Sequence, residues 1–554
     1  MSKTVRGADL LARALRCAGT QRIFSLSGNQ IMPVYDASLD VRLDIVHVRH
    51  EGAAVHMADA WGRLTDAPGI AMVTGGPGHA NAIGALYTAL ESDSPMVLLS
   101  GHAPLAQLGM GAFQEMRQAD MAAPVVKASF TAQGAATLGQ DIARAMRIAA
   151  SGRPGPVHLS LPFDVLEAKV ADTADPESTA FAPPVAALGR VVAETVYGLI
   201  AAASRPLVLT GPGMANGRGR TAREALAAAV GIPVLCLESP RGVNDPCMGA
   251  LPDVLAEADL VVLVGKKLDF TLRFGKAPAF APGCRFVVID PDAEIVQRTV
   301  RVVGDPDKLV LCAVADAIPA AERLASVAKG ATAAQARWAE EVAAAIAYRP
   351  QSWSTLPASR DRQVHPIEVG RAVQRLIDAS PDAVLVADGG EFGQWAQSCV
   401  TAPTRIINGP AGSIGSAIPF ATAARLARPQ ATIVAMLGDG TFGFHMAEMD
   451  TAVRHGLPFV AVVGNDACWN AEYQIQLNSY GRERTVGCEL QSSAYDQVVA
   501  ALGGAGECVT AAADLPAALE RAAGAGKVAC VNVLIDRLPA PTFSRKAAPT
   551  GGSH

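Results

Sequence analysis

The chain has 554 residues, of which 50% are hydrophobic, 5% aromatic and 18% charged, with a net charge of −5. Charges of both signs are spread along it, which excludes a nucleic-acid footprint, and no apolar run approaches the ~20 residues of a membrane span. Ten cysteines occur singly with no Cys-x-x-Cys pair, so neither a zinc site nor a disulfide framework is indicated, and the expectation is a cytoplasmic, helix-rich α/β enzyme of three or four domains acting on small molecules.

Residues 1–170 read as a first domain. An opening helix to Cys17 is interrupted by Arg and Asp, unlike a secretory signal. A strand at 22–27 leads into Gly28-Asn29 and a second helix. A short strand at 44–48 runs into Arg49-His50-Glu51 and a helical segment at 53–64. A buried strand at 69–74 then ends in Gly75-Gly76-Pro77-Gly78, and apolar strands follow at 96–100 and 156–160. This alternation predicts a parallel sheet flanked by helices.

Residues 170–184 are polar and Pro-bearing, a linker. A central domain, 185–345, has strands at 206–210, 233–237, 260–264 and 286–289. A Gly-rich turn follows the first strand and Ile289-Asp290-Pro291-Asp292 the last, features shared with nucleotide-binding half-folds. The glycine spacing is not a dinucleotide fingerprint, and a structural turn is the weightier reading. A site for ADP or the nucleotide of CoA stays open there.

Helical residues 313–348 and a Pro/Ser-bearing segment, 349–357, connect to a third domain, 360–536. Its predicted strands are 383–387, 404–408, 432–437, 459–463 and 528–534. The last residues, 537–554, are rich in Pro, Ala and Gly and are expected as a flexible tail.

The most informative stretch is 433–470. An apolar run ends in Gly438-Asp439-Gly440, a helical segment follows, and a second apolar run ends in Gly464-Asn465-Asp466. Two strand ends therefore each present a hard oxygen, Asp439 and Asn465, at the carboxyl edge of a parallel sheet. An anionic and a neutral oxygen suit Mg²⁺ or Ca²⁺ carrying a diphosphate. Gly438 and Gly440 let backbone N–H groups approach phosphate oxygens, and Thr441 adds a hydroxyl at a helix start.

Gly-Asp-Gly followed 26 positions after Asp439 by Asn465 resembles the thiamine diphosphate signature of the decarboxylase and acetohydroxyacid synthase superfamily. The resemblance spans roughly residues 5–536 and implies three domains: pyrimidine-binding, central and diphosphate-binding. The first and third would carry the thiamine diphosphate-binding fold. It also implies thiamine diphosphate and Mg²⁺, with Asp439, Asn465 and Ala467 as metal ligands. Active sites between subunits of a homodimer or homotetramer are implied as well.

The segment VRHEGAAVHMADAWGRLT is similar to the superfamily's Arg-His-Glu segment, whose glutamate meets N1′ of the aminopyrimidine. Glu51 is the candidate. Proton exchange between N1′ and the 4′-amino group makes the cofactor its own base, and a Glu of raised pKa in an apolar pocket can hold the shared proton. Pro77 and Asn81 match the turn beside the pyrimidine. Gly412-Ser413-Ile414 resembles the turn that supports the bent cofactor, with Ile414 between its rings. Gly390-Glu391-Phe392 falls where diphosphate contacts lie, although Gln and His are common at the last two positions. Gly28 and Asn29 occupy the loop where related carboligases carry a polar side chain. Phe113-Gln114-Glu115 resembles a synthase segment whose glutamine faces C2, so Asn29, Phe113 and Gln114 join Glu51 as catalytic candidates. Lys127 also matches a synthase position, a surface lysine being the alternative.

Cys468 and Trp469 edge the cofactor pocket, and Trp469 replaces a frequent glycine. Residues 267–275 depart from the flavin-binding synthase pattern and resemble 2-hydroxyacyl-CoA lyases and oxalyl-CoA decarboxylases, so FAD is not expected. The leading expectation is a 2-hydroxyacyl-CoA lyase releasing formyl-CoA, with Arg545 and Lys546 weighed as partners for CoA phosphates. The alternative is an acetolactate-synthase-like enzyme acting on 2-oxo acids. A non-catalytic regulatory homologue is the third option, and the intact Glu51, Asp439 and Asn465 argue against it.

Overall fold

A computed structural model of the chain describes residues 4–355 and 363–545. Three parallel sheets are flanked by helices, as expected of the α/β reading. The first sheet has the spatial order Asp44–His47, Arg22–Ser25, Gly69–Val73, Met96–His102, Pro156–Pro162, Ala128–Thr131. The third runs Thr404–Ile407, Val384–Asp388, Ile433–Gly438, Val460–Asn465, Ala529–Leu534, Ala505–Val509. Ranked by chain order, both are wound 2-1-3-4-6-5. The central sheet has five strands, Val234–Cys236, Pro206–Thr210, Leu260–Val264, Arg285–Asp290 and Leu309–Val314. A small antiparallel pair, Thr4–Arg6 with Lys169–Ala171, ties the start of the first domain to its end.

The interior strands are buried on both faces, which is why they read as uninterrupted apolar runs. Three strands of the parallel sheets have no counterpart in the sequence reading, Ala128–Thr131, Leu309–Val314 and Ala505–Val509, nor does the small antiparallel pair. The helices Ala317–Val327 and Ala333–Ala347, read as part of a connection, pack on the central sheet instead. Trp338 on the second is buried, and its indole N–H donates to the Pro206 carbonyl at 3.0 Å.

One core runs continuously through the first and third domains. The helix Glu51–Thr65 lies on Ala417–Ala427 with Ala53, Ala54, Ala421 and Ala424 all fully buried; small side chains permit this close approach. Charged clamps hold the central domain. Arg153 of the first domain pairs with Asp93 at 2.7 Å and with Asp290 of the central sheet. Arg405 of the third donates to Glu238 at 2.9 Å and reaches Asp245 at 3.3 Å.

Residues 537–545, expected as part of a flexible tail, make defined contacts. Phe543 packs on Trp353 and under Arg349, and the Arg545 amide donates to Asp253 at 2.6 Å. Lys546 and residues 547–554 lie outside the described residues, as does the expected start of the third domain at 360.

Candidate active site

The third-domain half forms where Ile433–Gly438 and Val460–Asn465 end side by side, paired in register from Val434 to Gly438. Asp439 opens the helix Asp439–His445 and is buried. Its Oδ2 has no hydrogen-bond partner, and burial pushes its carboxyl up to about 6. An orphaned buried anionic oxygen is costly unless something binds it. Asn465 is fixed by its own amide: Nδ2 donates to the Ser493 carbonyl and to Asn532 Oδ1, each at 3.1 Å. Its Oδ1 is thereby left as the presented atom, touched among the described residues only by the Ala467 N–H at 3.3 Å.

Ala467 differs from expectation. Its carbonyl accepts from Leu490 N at 2.8 Å and from Arg537 Nη2 at 3.1 Å, so ligation through it requires one of these bonds to break. Asp466, not singled out as a ligand, lines the same crevice. Burial and then the neighbouring Asp439 charge push its carboxyl up to about 7. Carboxylates held this way, beside an amide oxygen, fit a hard divalent cation.

Around them is a cavity of about 280 Å³ whose wall includes Gly390, Glu391, Phe392, Gly412, Ile414 and Gly438. Gly440, Thr441, Cys468 and Trp469 complete the expected part of it. Ser413 lies behind, its carbonyl taking the Asn408 amide at 2.8 Å. Gly412 and Gly415 have φ of +68° and +99°, and His445, at the end of the Asp439 helix, binds the Gly415 carbonyl at 2.7 Å. The turn carrying Ile414 is thus tied to the helix carrying Asp439.

The departures from the superfamily pattern have packing causes. A Cβ on Gly464 would sit 2.4 Å from the Phe392 ring, so this glycine and this phenylalanine require each other, and Phe392 supplies packing rather than a polar contact. A Cβ on Gly440 would meet the Trp469 ring at 2.6 Å. Cys468 is buried, which pushes its thiol up to about 12. Glu391 is pushed up by burial and bonded by Gln394 at 2.8 Å. Arg241 enters the wall from the central domain, a contribution nothing in its sequence context marked.

The first-domain half is separate: among the described residues, none before Ser239 lines that cavity. Glu51 is the first residue of its helix, 8% exposed, with Oε2 accepting from Asn81 Nδ2 at 3.1 Å. Pro77 starts the neighbouring helix Pro77–Glu91. Gly28 is required by close approach, since a Cβ there would lie 2.3 Å from Thr74. Asn29 and Phe113 are exposed, Phe113 at 72%. Gln114 adopts φ +57° and bonds Gln30, which sequence reasoning passed over. Buried Glu448 of the third domain accepts the Arg49 N–H at 3.0 Å and so fixes the approach to Glu51. Lys127 lies in neither half; its ammonium is half-buried against the Ile148 and Ser151 carbonyls, and burial lowers it to about 8.

In the central domain, the carboxyl edge of the sheet is filled from the first domain. Asp290 is taken by Arg153 Nη2, which also donates to the Gly265 carbonyl at 3.0 Å, and a Cβ on Gly211 would lie 2.2 Å from that carbonyl. Arg153 thus occupies the Asp290 end of that edge, while Pro212, Gly213 and Asn216 of the Gly-rich turn line a small cavity of about 70 Å³. Within the segment 267–275, Leu268 and Leu272 are buried and Lys267 pairs with Glu91 at 2.9 Å, while Phe270 and Phe274 are exposed. Among the described residues no helix is long and apolar enough to cross a membrane, and all ten cysteines are free.

Residues 5–121 match the family described as thiamine pyrophosphate enzyme, N-terminal TPP binding domain. Residues 193–314 match its central domain and 388–533 its C-terminal TPP binding domain. A probable acetolactate synthase of Mycobacterium bovis is 32% identical, covering 99% of this chain and 98% of its own. The human 2-hydroxyacyl-CoA lyase 2 is 29% identical over 90% of this chain and 84% of its own. The acetolactate synthase large subunit of Parasynechococcus marenigrum is 32% identical over 84% and 76%. With matching domains in this order, and a relative alike over nearly its whole length, the chain belongs to the thiamine pyrophosphate-dependent enzymes.

Proposed function

We propose that the enzyme makes or breaks a carbon–carbon bond beside a carbonyl, using thiamine diphosphate held by a divalent cation, most simply Mg²⁺. The observation that carries this reading is the orphaned, buried Asp439 oxygen in the wall of a glycine-lined cavity, with the presented Asn465 oxygen at the end of the adjacent strand. Asp439 and Asn465 would hold the cation, with Asp466 near it. Gly390, Gly438, Gly440 and Thr441 would meet the diphosphate, and Gly412 and Ile414 the body of the cofactor. When bound, the cofactor supplies an acidic carbon and an electron sink. Glu51 would hold a proton at the pyrimidine nitrogen, its carboxylate oriented by Asn81.

Each chain carries Glu51 away from its own cavity, which supports a site completed by a second copy, Glu51 of one facing the cavity of the other. A homodimer is the smallest assembly that does so.

For the substrate, the leading expectation shifts. Part of the 267–275 segment that pointed to a 2-hydroxyacyl-CoA lyase, Leu268, Leu272 and Lys267, is accounted for by packing and an ion pair, whereas Gln114 stands in the Glu51 half. A 2-oxo acid, decarboxylated and then joined to a second carbonyl, is therefore the first reading. The 2-hydroxyacyl-CoA reading is kept as the second because exposed Phe270 and Phe274 flank Arg273, a surface suited to a bulky anionic ester. With thiamine diphosphate and Mg²⁺, the purified protein should consume pyruvate and release CO₂. Formyl-CoA release from a 2-hydroxyacyl-CoA, with pyruvate inert, would reverse the order.

A further inference from the structure

We propose that Gln30 is a positioning residue: it fixes which end of the Gln114 amide faces the reaction, so that Gln114 offers N–H donors to a substrate oxygen on which negative charge develops. The inference rests on the reading above that the Glu51 face meets the reacting end of the cofactor.

The geometry is a short relay. The Thr74 hydroxyl donates to Gln30 Oε1, and Gln30 Nε2 donates to Gln114 Oε1 at 2.8 Å. Gln30 is 4% exposed, so it has no water to exchange partners with. An amide whose oxygen is engaged must turn its NH₂ the other way. Among the described residues Gln114 Nε2 has no partner, and its two hydrogens are the unspent donors of the relay.

The relay lies against Glu51. A Cβ on Gly78 would lie 2.8 Å from the Thr74 methyl and 3.3 Å from Glu51 Oε1, so only the bare Gly78 backbone stands between the relay and the carboxylate. Gln114 is also held from its backbone. Its left-handed φ places its Cβ 2.9 Å from where a Cβ on Gly76 would be, a contact only glycine allows. Glu115 accepts the N–H groups of Gly109, Gly111 and Ala112, and His102 Nε2 binds the Met116 carbonyl at 3.0 Å. Gln118 accepts the Gly76 N–H at 2.9 Å. A loop fixed at both ends leaves the amide polarity as the remaining freedom, and that is what Gln30 decides. Preorganised donors aimed at developing charge are worth far more than mobile ones.

Gln30→Glu is the decisive variant because a carboxylate can only accept. It keeps the Thr74 bond, but it forces Gln114 to donate back through Nε2 and to present its oxygen. Using pyruvate as substrate, or a 2-hydroxyacyl-CoA if pyruvate is inert, kcat should fall at least tenfold in Gln30→Glu and in Gln30→Ala. Thr74→Val should fall about threefold, because Gln30 is then free to rotate. Exchange of the cofactor C2 proton with deuterium should stay within twofold of wild type. So should cofactor affinity, read from quenching of tryptophan fluorescence. If Gln30→Ala is insoluble, the near-isosteric Gln30→Glu and Thr74→Val carry the test. Wild-type kcat in Gln30→Glu would overturn the proposal, as would a parallel loss of C2-proton exchange, which would mark a general structural role. Equal C2-proton exchange in wild type and Glu51→Gln is a distinct result: it would overturn the cofactor reading beneath the proposal.

Discussion

The first and third domains share one winding of six strands, yet put different chemistry at corresponding strand ends. Where the third-ranked strand of the third sheet ends in Asp439, that of the first sheet ends before Thr74 and the Gly75-Gly76 turn. Where the next strand of the third sheet ends in Asn465, that of the first ends in His102. One half gathers buried carboxylates around an open cavity. The other gathers neutral amides and hydroxyls around a single carboxylate, Glu51. The winding supplies a place, and the side chains at the strand ends decide what it holds.

If the halves divide the labour this way, their variants should fail differently. Glu51→Gln should lower turnover by about 10²–10⁴-fold, the span of a lost acid–base group, while cofactor affinity changes little in a fluorescence titration. Asp439→Ala should do the reverse. Cofactor affinity measured with Mg²⁺ should weaken by about 100-fold, or about 3 kcal/mol, and turnover should recover in part at saturating cofactor. Equal loss of affinity in both variants would break the comparison.

The central domain should respond to neither. It is held to the first domain by the Arg153 clamp, and Arg153→Ala would leave Asp93 and Asp290 buried without their cation. A cost of about 3–5 kcal/mol is expected, seen as a lower melting temperature with or without cofactor. An unchanged melting temperature would show the clamp to be replaceable by water.

Acid should separate the halves more gently. His79 is buried and lowered to about 4, and His56 and His158 are pushed down by burial as well; all three lie in the first domain. The unfolded chain takes up these protons near pH 6.5, so the stability they carry is full above that value and is lost as pH falls toward 4. For His79 this amounts to about 3 kcal/mol. Asp388 in the third domain, pushed up by burial to about 6, has the opposite sign: its contribution is lost as pH rises from 4 toward 6. Thermal melts between pH 7 and 5 should fall less steeply in His79→Gln than in wild type.

Much of this was legible in the sequence for a physical reason. Interior strands such as Gly69–Val73 and Ile433–Gly438 are buried on both faces and announce themselves as apolar runs. The three unread strands of the large sheets are all edges: in Ala128–Thr131 and Ala505–Val509 partial exposure mixes polar residues into the pattern, whereas Leu309–Val314 is apolar and runs into a segment that reads as helical from 313. Asp439, Asn465 and Glu51 were readable because each stands at the junction of an apolar run and a helix. Gln30 was not, because its significance lies in bonds to Thr74 and Gln114, one of them 84 positions away. Nor could spacing reveal that the Ala467 carbonyl is engaged by Leu490 and Arg537.

The claim that matters most is that each active site takes Glu51 from one chain and Asp439 from another. Chains carrying Glu51→Gln, inactive alone, can be dissociated, mixed in equal amounts with Asp439→Ala chains and allowed to reassociate. Half of the resulting dimers are then mixed, and each mixed dimer has one intact site, so about a quarter of wild-type activity should return. Mixtures as inactive as their parents, with mixed dimers verified by mass, would place both residues in one chain's site and contradict the account.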